Sequence, residues 1–397
     1  MKNYKLIFII LFLSNILFGS LEKELQTQFI LAEPGDTIRI PRGAHPIQGT
    51  LSIEGKHNLV ILGDGIDQSI LTFSNQDEGA QGISITNSTN ITLERFTVQD
   101  SKGDGIKAQY TDNIIFRHVK AEWTGGPKAT NGAYGLYPVQ CENVLIEHCV
   151  SIGASDAGIY VGQSNHIVVR YNTAYDNVAG IEIENSTDAK VYENHAYNNT
   201  GGILVFDLPD LVQKNGGNVH VFNNLIESNN LFNFAPPGNI VGKVIPGTGV
   251  LILACSDVHI YQNTIRNNIS VGTGVVSYFM TEEAINDSLY NPYTADIHIY
   301  NNIYDRWPGL PELGYDIGKL LAVKYGRNTP DIIYDGMQDP NHPEGLCIQN
   351  EDARFTNLDI EHNFDEWYSP FLSNFSEDMS PHDCGMKHRW VSTKVKP

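Results

Sequence analysis

Lys107, Tyr137, Tyr160 and Glu182 hold the same place in four consecutive sequence units, each being the second residue after a glycine: Gly105, Gly135, Gly158 and Gly180. If the units stack as strands about 4.8 Å apart, these side chains form a line about 14 Å long. Gln140, Gln163, Asn185 and Asp207 flank the line at the fifth position, and Tyr134 precedes one of the glycines. Tyrosine faces suit pyranose rings, and amides suit hydroxyls. Lys107 and Tyr137 stand in this line, with Tyr134 beside it. Tyr160, Gln140, Gln163 and Glu182 are the candidate substrate-binding residues. The plainer alternative is an ordinary solvated sheet face. Glu182 and Glu184 share one strand face about 7 Å apart. At an effective dielectric near 20 their repulsion is about 2.4 kcal/mol, more than one pKa unit. A cation, a lysine or a shared proton must offset it. Together with Asp207 the two glutamates are a candidate Ca²⁺ set, since hard cations take carboxylate oxygens.

A second line holds His220, His259 and His298, one per unit. Three stacked imidazoles could bind a soft or borderline metal. Tyr192, Phe222, Tyr261 and Tyr300 stand beside them and imply a covering segment, for which the aromatic-rich tail is the natural choice. Glu94, Arg117, Glu147 and Arg170 alternate in sign on the same face and read as a surface ion-pair ladder.

The element that positions these residues is a repeat. A unit led by Asn, Asp or His recurs from NLVILGD at Asn58 to DIHIYNN at Asp296, with a base period of 22 or 23 residues lengthened by insertions. A glycine-led unit alternates with it, and both show strict period-two alternation of β-branched residues, which marks strands with one buried face. Short strands returning in one order cannot form hairpins. They imply an all-β, right-handed parallel β-helix of about nine or ten rungs. The run Asn172, Asn194, Asn224, Asn263 and Asn302 falls once per rung and reads as a stacked corner ladder; Asn also tolerates left-handed turns. Residues 21–302 are assigned to the helix with its N-terminal cap. Residues 303–397 lose the period and become a loop-rich C-terminal cap with one short helix near 314–325. Insertions near 121–134, 207–217, 230–248 and 279–295 should protrude.

Residues 1–20 read as a signal peptide, with Lys2 and Lys5 before an apolar run too short to span a bilayer. Export to the periplasm or beyond, in a bacterium, follows from that reading. No other segment is long and apolar enough to span a membrane. The net charge of −20 argues against nucleic acid and anionic membrane surfaces, which need clustered Lys and Arg. Five cysteines leave at least one unpaired. Cys347 with Cys384, both in the tail, is the expected disulfide.

The segments GAYGLYPVQCENVLIEHC, ASDAGIYVGQS, GIEIENS and TGGILVFDLPDL resemble a family of exported bacterial parallel β-helix repeat proteins, often encoded beside a c-type cytochrome. That resemblance implies fold and export. A more distant one is to mannuronan C5-epimerases and β-helix polysaccharide lyases. Tyr134, Gly135 and Pro138 match the epimerase Tyr-Gly-x-Asp-Pro-His motif, while Tyr137 and Val139 replace its Asp and His, and Lys107 matches its lysine. The expectation is an exported carbohydrate-recognising or carbohydrate-processing protein. If catalytic, the resemblance implies a lyase on an acidic polysaccharide with Lys107, Tyr134 and Tyr137 as its candidate catalytic residues, Lys107 or a tyrosine being the base; epimerisation is less favoured. The alternative is a non-catalytic periplasmic module that docks a protein partner such as a c-type cytochrome.

Overall fold

The computed structural model describes residues 21–305, 308–342, 345–364 and 369–385. The signal-peptide assignment lies outside the described residues.

The strands assemble into three parallel sheets of eleven, ten and eleven strands, and every strand pair within them is parallel. Each turn of chain adds one strand to each sheet in the same order, which is the parallel β-helix expected from the period. There is slightly more of it than the sequence suggests. Thr37–Arg39 starts the stack, and Ile332–Tyr334, Leu346–Gln349 and Phe355–Asn357 extend it past residue 302. These late strands escape detection because loops separate them and no repeat motif leads them.

Alternation decides which side chains are buried. Ile114 and Phe116, Ile167 and Val169, and Val219 and Val221 point inward and are essentially inaccessible to water. Stacked rungs make one continuous apolar column. The helix Leu21–Leu31 closes its N-terminal end by burying Leu25 and Phe29. Sequence patterning missed this helix, whose two buried residues leave only a weak apolar stripe. At the other end Met379 packs on the core, and His382 meets the rings of Tyr334 and Phe355. The expected short helix is Asp316–Tyr325. No described helix is long and apolar enough to cross a membrane.

The corners explain the asparagines. Asn172 donates from Nδ2 to the Asn194 Oδ1 at 3.0 Å, and the chain of side-chain bonds runs on through Asn224, Asn263 and Asn302 to Asn350. A second ladder at the next corner joins Asn177, Asn199, Asn229 and Asn268. The left-handed residues are different ones. Asn58, Asn90, Asn113, Asn143, His166, Asp188, Asn218, Asp257 and Asp296, which lead the repeat unit, have φ between 53° and 56°. Short polar side chains tolerate that conformation best. The repeat signature is thus two kinds of turn, one needing backbone freedom and one needing a buried amide.

Candidate functional site

The glycine-led strands form the third sheet, with Lys107 in register with Tyr137, Tyr160 with Glu182, and Glu182 with Leu204. The line read from the sequence is therefore real, but it is not an open face. Tyr160, Glu182 and Glu184 are 4%, 1% and 7% exposed. The insertions after residues 230 and 277 fold back over the sheet. Phe234, Val241, Val244, Tyr278 and Tyr290 make a second apolar cluster with Tyr160, Leu204, Phe206 and Leu253. Lys107, Tyr134 and Tyr137 remain half-exposed at the edge of this cover.

The three tyrosines form one aromatic knot. Tyr134 lies 4.5 Å from Tyr137 and 4.3 Å from Tyr160 between ring centroids. Lys107 Nζ sits 5.2 Å from the Tyr137 centroid, a cation–π arrangement. Behind the knot is an acid cluster. Tyr160 donates its hydroxyl proton to Glu184 at 2.5 Å. Glu182 is hydrogen bonded to Glu184, and the other Glu182 oxygen, Oε2, is buried without a partner. Asp156 accepts from Asn239 Nδ2 at 3.2 Å and from the Tyr134 hydroxyl.

Burial sets the protonation. Loss of water raises Asp156 to about 8, with the Glu184 charge adding to the effect. Glu184 rises to about 7, and Glu182 is pushed well above the carboxylate range, both mainly by burial. Burial also raises Tyr134 and Tyr137, with nearby carboxylates contributing. These phenols are proton donors near neutral pH, not bases. The repulsion anticipated between Glu182 and Glu184 is met by a shared proton.

Asp104 joins the edge of the site, and residue patterning did not single it out. It precedes Gly105 as Tyr134 precedes Gly135, so it lies beside Tyr134 one rung earlier. Its carboxyl is raised by burial and lowered by bonds from the Tyr134 backbone and Gln81 and by the Lys107 charge. The position before the leading glycine was the available signal.

Gln140 and Gln163 do not join the knot. They line a cleft of about 330 Å³ on the neighbouring corner with Asn165 and Gln213. Gln109 donates to Gln140 at 2.7 Å, and Gln163 accepts from the backbone of Val212 and Gln213 in the protruding loop. Asp207 is buried at the root of that loop, where its carboxylate accepts from the Gly216 amide. It does not combine with Glu182 and Glu184 into a cluster of ligand atoms. Among the described residues the only set of three such atoms within 4.8 Å of one another is His298, Cys347 and Cys384.

On the first sheet the imidazoles stack as expected, with centroids 4.6 Å apart for His220 and His259 and 4.5 Å for His259 and His298. The aromatics beside them stack too, Phe222 on Tyr261 at 4.9 Å and Tyr261 on Tyr300 at 4.8 Å. Among the described residues the tail reaches this stack at its last rung, where Cys384 lies beside His298, and the rings stay half-exposed. The ion-pair ladder is present: Arg117 bonds Glu147 at 2.6 Å and reaches Glu94 at 4.0 Å, and Arg170 bonds Glu147 at 2.7 Å. Cys347 and Cys384 form the expected disulfide, and Cys141, Cys149 and Cys255 are free and buried.

The sequence profile described as "Right handed beta helix region" matches residues 81–277. That match over about half of the chain and the three parallel sheets agree on the fold, a right-handed parallel β-helix. Solved structures similar to it include the A-module of the Azotobacter vinelandii mannuronan C-5 epimerase AlgE4. That likeness has 16% identity and a TM-score of 0.53 over 84% of this chain and 91% of the other. The A-module of AlgE6 from the same organism gives 17% identity and a TM-score of 0.55 over 84% and 89%. At such identities the likeness is one of fold. No curated protein matches the chain.

The acid cluster has a consequence for stability. A carboxyl whose folded pKa is raised stabilises the fold at low pH, and that contribution is lost as pH rises through the folded value. Glu182→Gln removes one such group. The variant is expected to gain stability relative to the parent as pH rises from the ordinary carboxylate range through about 7 and about 8, where the coupled Glu184 and Asp156 titrate. Denaturant midpoints of the two proteins across that range measure the difference. A difference independent of pH would contradict the assigned protonation.

Proposed function

We propose that this chain is an exported carbohydrate-processing protein that works by proton transfer at the Asp104–Lys107–Tyr134–Tyr137 edge. One observation carries this reading. A half-exposed tyrosine with a raised pKa is bonded to a buried carboxyl that is itself mostly protonated near pH 7. Such a pair is a proton donor with a reservoir. The fold likeness to two mannuronan C-5 epimerase modules supports a carbohydrate substrate.

For an acidic polysaccharide the arrangement favours eliminative cleavage. Lys107 would neutralise the uronate carboxylate, which makes the neighbouring C–H more acidic. The Asp104 carboxylate would take that proton. The electron pair forms the new C=C bond as the glycosidic C–O bond breaks, and Tyr134 protonates the departing oxygen. Asp156 then returns a proton to Tyr134. Tyr137 holds Lys107 against its ring, and the amide-lined cleft at Gln140 and Gln163 receives hydroxyls of adjoining sugars. Tyr160, Glu182 and Glu184 lie behind as the reservoir. Tyr137 and Val139 occupy the places of the epimerase Asp and His, so re-delivery of a proton to the opposite face lacks its group here.

A glycan panel tests the reading, with and without Ca²⁺, on the parent and on Lys107→Ala/Tyr137→Ala. Binding to a uronate-containing polysaccharide that falls about tenfold or more in the variant is the expected result, each tenfold being about 1.4 kcal/mol. Dependence on Ca²⁺ would bring Glu182, Glu184 and Asp207 into the site. No glycan binding at all would overturn the carbohydrate reading in favour of a non-catalytic module, for which salt-sensitive capture of a basic c-type cytochrome is the corresponding assay.

A further inference from the structure

We infer that His298, Cys347 and Cys384 form a redox-gated site for a borderline or soft metal ion of the Zn²⁺ or Cu⁺ type, closed as the disulfide and opened by reduction. A ring nitrogen of His298 and the two Sγ atoms already lie within 4.8 Å of one another. Tetrahedral zinc with sulfur and imidazole ligands sets its donor atoms about 3.5 Å apart, so little movement is needed. The rungs place them. Cys347 is the in-register neighbour of His298 on the next strand, and the disulfide brings Cys384 from the tail to the same spot.

The imidazole is prepared as a ligand. Its Nε2–H donates to Asp296 Oδ1 at 2.7 Å. That bond leaves the lone pair on Nδ1, which is buried and has no hydrogen-bond partner. Burying an acceptor unpaired costs about 1–3 kcal/mol, and a metal would remove the deficit. A carboxylate bonded to the far nitrogen of a ligating histidine is the usual supporting arrangement at zinc and copper sites. Thiolates with imidazole select borderline and soft ions over Ca²⁺ or Mg²⁺. Cys384 is exposed, so a reductant can reach the bond.

The chemistry balances with a dithiol reductant. Cys347 and Cys384 take up two electrons and two protons as their S–S bond opens, and the reductant closes to its own disulfide. Binding Zn²⁺ to the two sulfurs and His298 then releases two protons and leaves a fourth position to water. The site is remote from Lys107 and Tyr134 in the rung order, and the inference stands independently of the carbohydrate reading.

The test uses the full chain, reduced anaerobically with a phosphine that is then removed, and titrated with Zn²⁺ alone against a chromophoric chelator. The reduced chain is expected to take up one Zn²⁺ more than the unreduced chain. His298→Ala should lose that increment. Asp296→Asn should weaken it about 10- to 100-fold without removing a ligand. Cys347→Ser/Cys384→Ser should make uptake insensitive to reduction. Replacing Zn²⁺ with Co²⁺ should give thiolate-to-metal charge-transfer absorption in the reduced parent only. Equal uptake before and after reduction, or an increment unchanged in His298→Ala, overturns the inference. Loss of the circular dichroism of the fold on reduction also overturns it, because the site needs the last rungs intact.

Discussion

Tyr134→Phe is expected to lower kcat on the polysaccharide substrate by about 100- to 10,000-fold with little change in KM, the usual cost of losing a positioned proton donor. The substitution deletes one hydroxyl and keeps the ring. Packing against Tyr137 and Tyr160 therefore persists, and the fold should be unaffected. Asp156→Asn is the companion variant. Asn can hold the Tyr134 hydroxyl but cannot return a proton, so its loss should fall on kcat and change the pH profile near 8, where Asp156 titrates. Steady-state rates on one uronate polysaccharide across pH 6–10 check both. A Tyr134→Phe enzyme with unchanged kcat would remove this residue from the chemistry.

The largest stability effect is expected from Asn224→Ala, at about 4 kcal/mol. Asn224 accepts from both the backbone N–H and the Nδ2 of Asn194, and it donates to Val191 O and Asn263 Oδ1. Truncation leaves several of these groups buried and unpaired, at about 1–3 kcal/mol each. Asn218 is the contrast. It is exposed with φ 53°, so Asn218→Gly keeps the turn and should change stability by less than about 0.5 kcal/mol. Equilibrium denaturation of the two variants separates a buried amide ladder from a run of turn-forming residues. Equal effects would mean the ladder is not a structural element of its own.

The two kinds of asparagine show how much of this molecule its sequence discloses. Period-two alternation and the recurrence of Gly and Asn required parallel strands, because nothing else lets Ile106, Leu136, Ile159 and Ile181 share one buried column. The same register placed Lys107, Tyr137, Tyr160 and Glu182 in line; Lys107 pairs with Tyr137 and Tyr160 with Glu182, and Leu136 pairs with Ile159 between them. What the pattern could not disclose is where the insertions land. The residues around Phe234 and Tyr290 are far along the chain from Glu182, yet they cover the sheet beside it and leave a presumed sugar-facing carboxylate buried, with its pKa raised. Asp104 was passed over because it sits in a turn outside the alternating positions. The N-terminal helix was missed because a single amphipathic cap carries no period of its own.

In the proposed function carbohydrate is processed at the Lys107–Tyr134 edge. The most direct measurement is the ultraviolet absorbance of an unsaturated uronate, followed during incubation of the full chain with alginate- and pectin-type polysaccharides beside Tyr134→Phe and Lys107→Ala. Absorbance should grow with the parent protein and be lost in both variants. Growth at the parent rate in both variants, or none with any substrate, would contradict it.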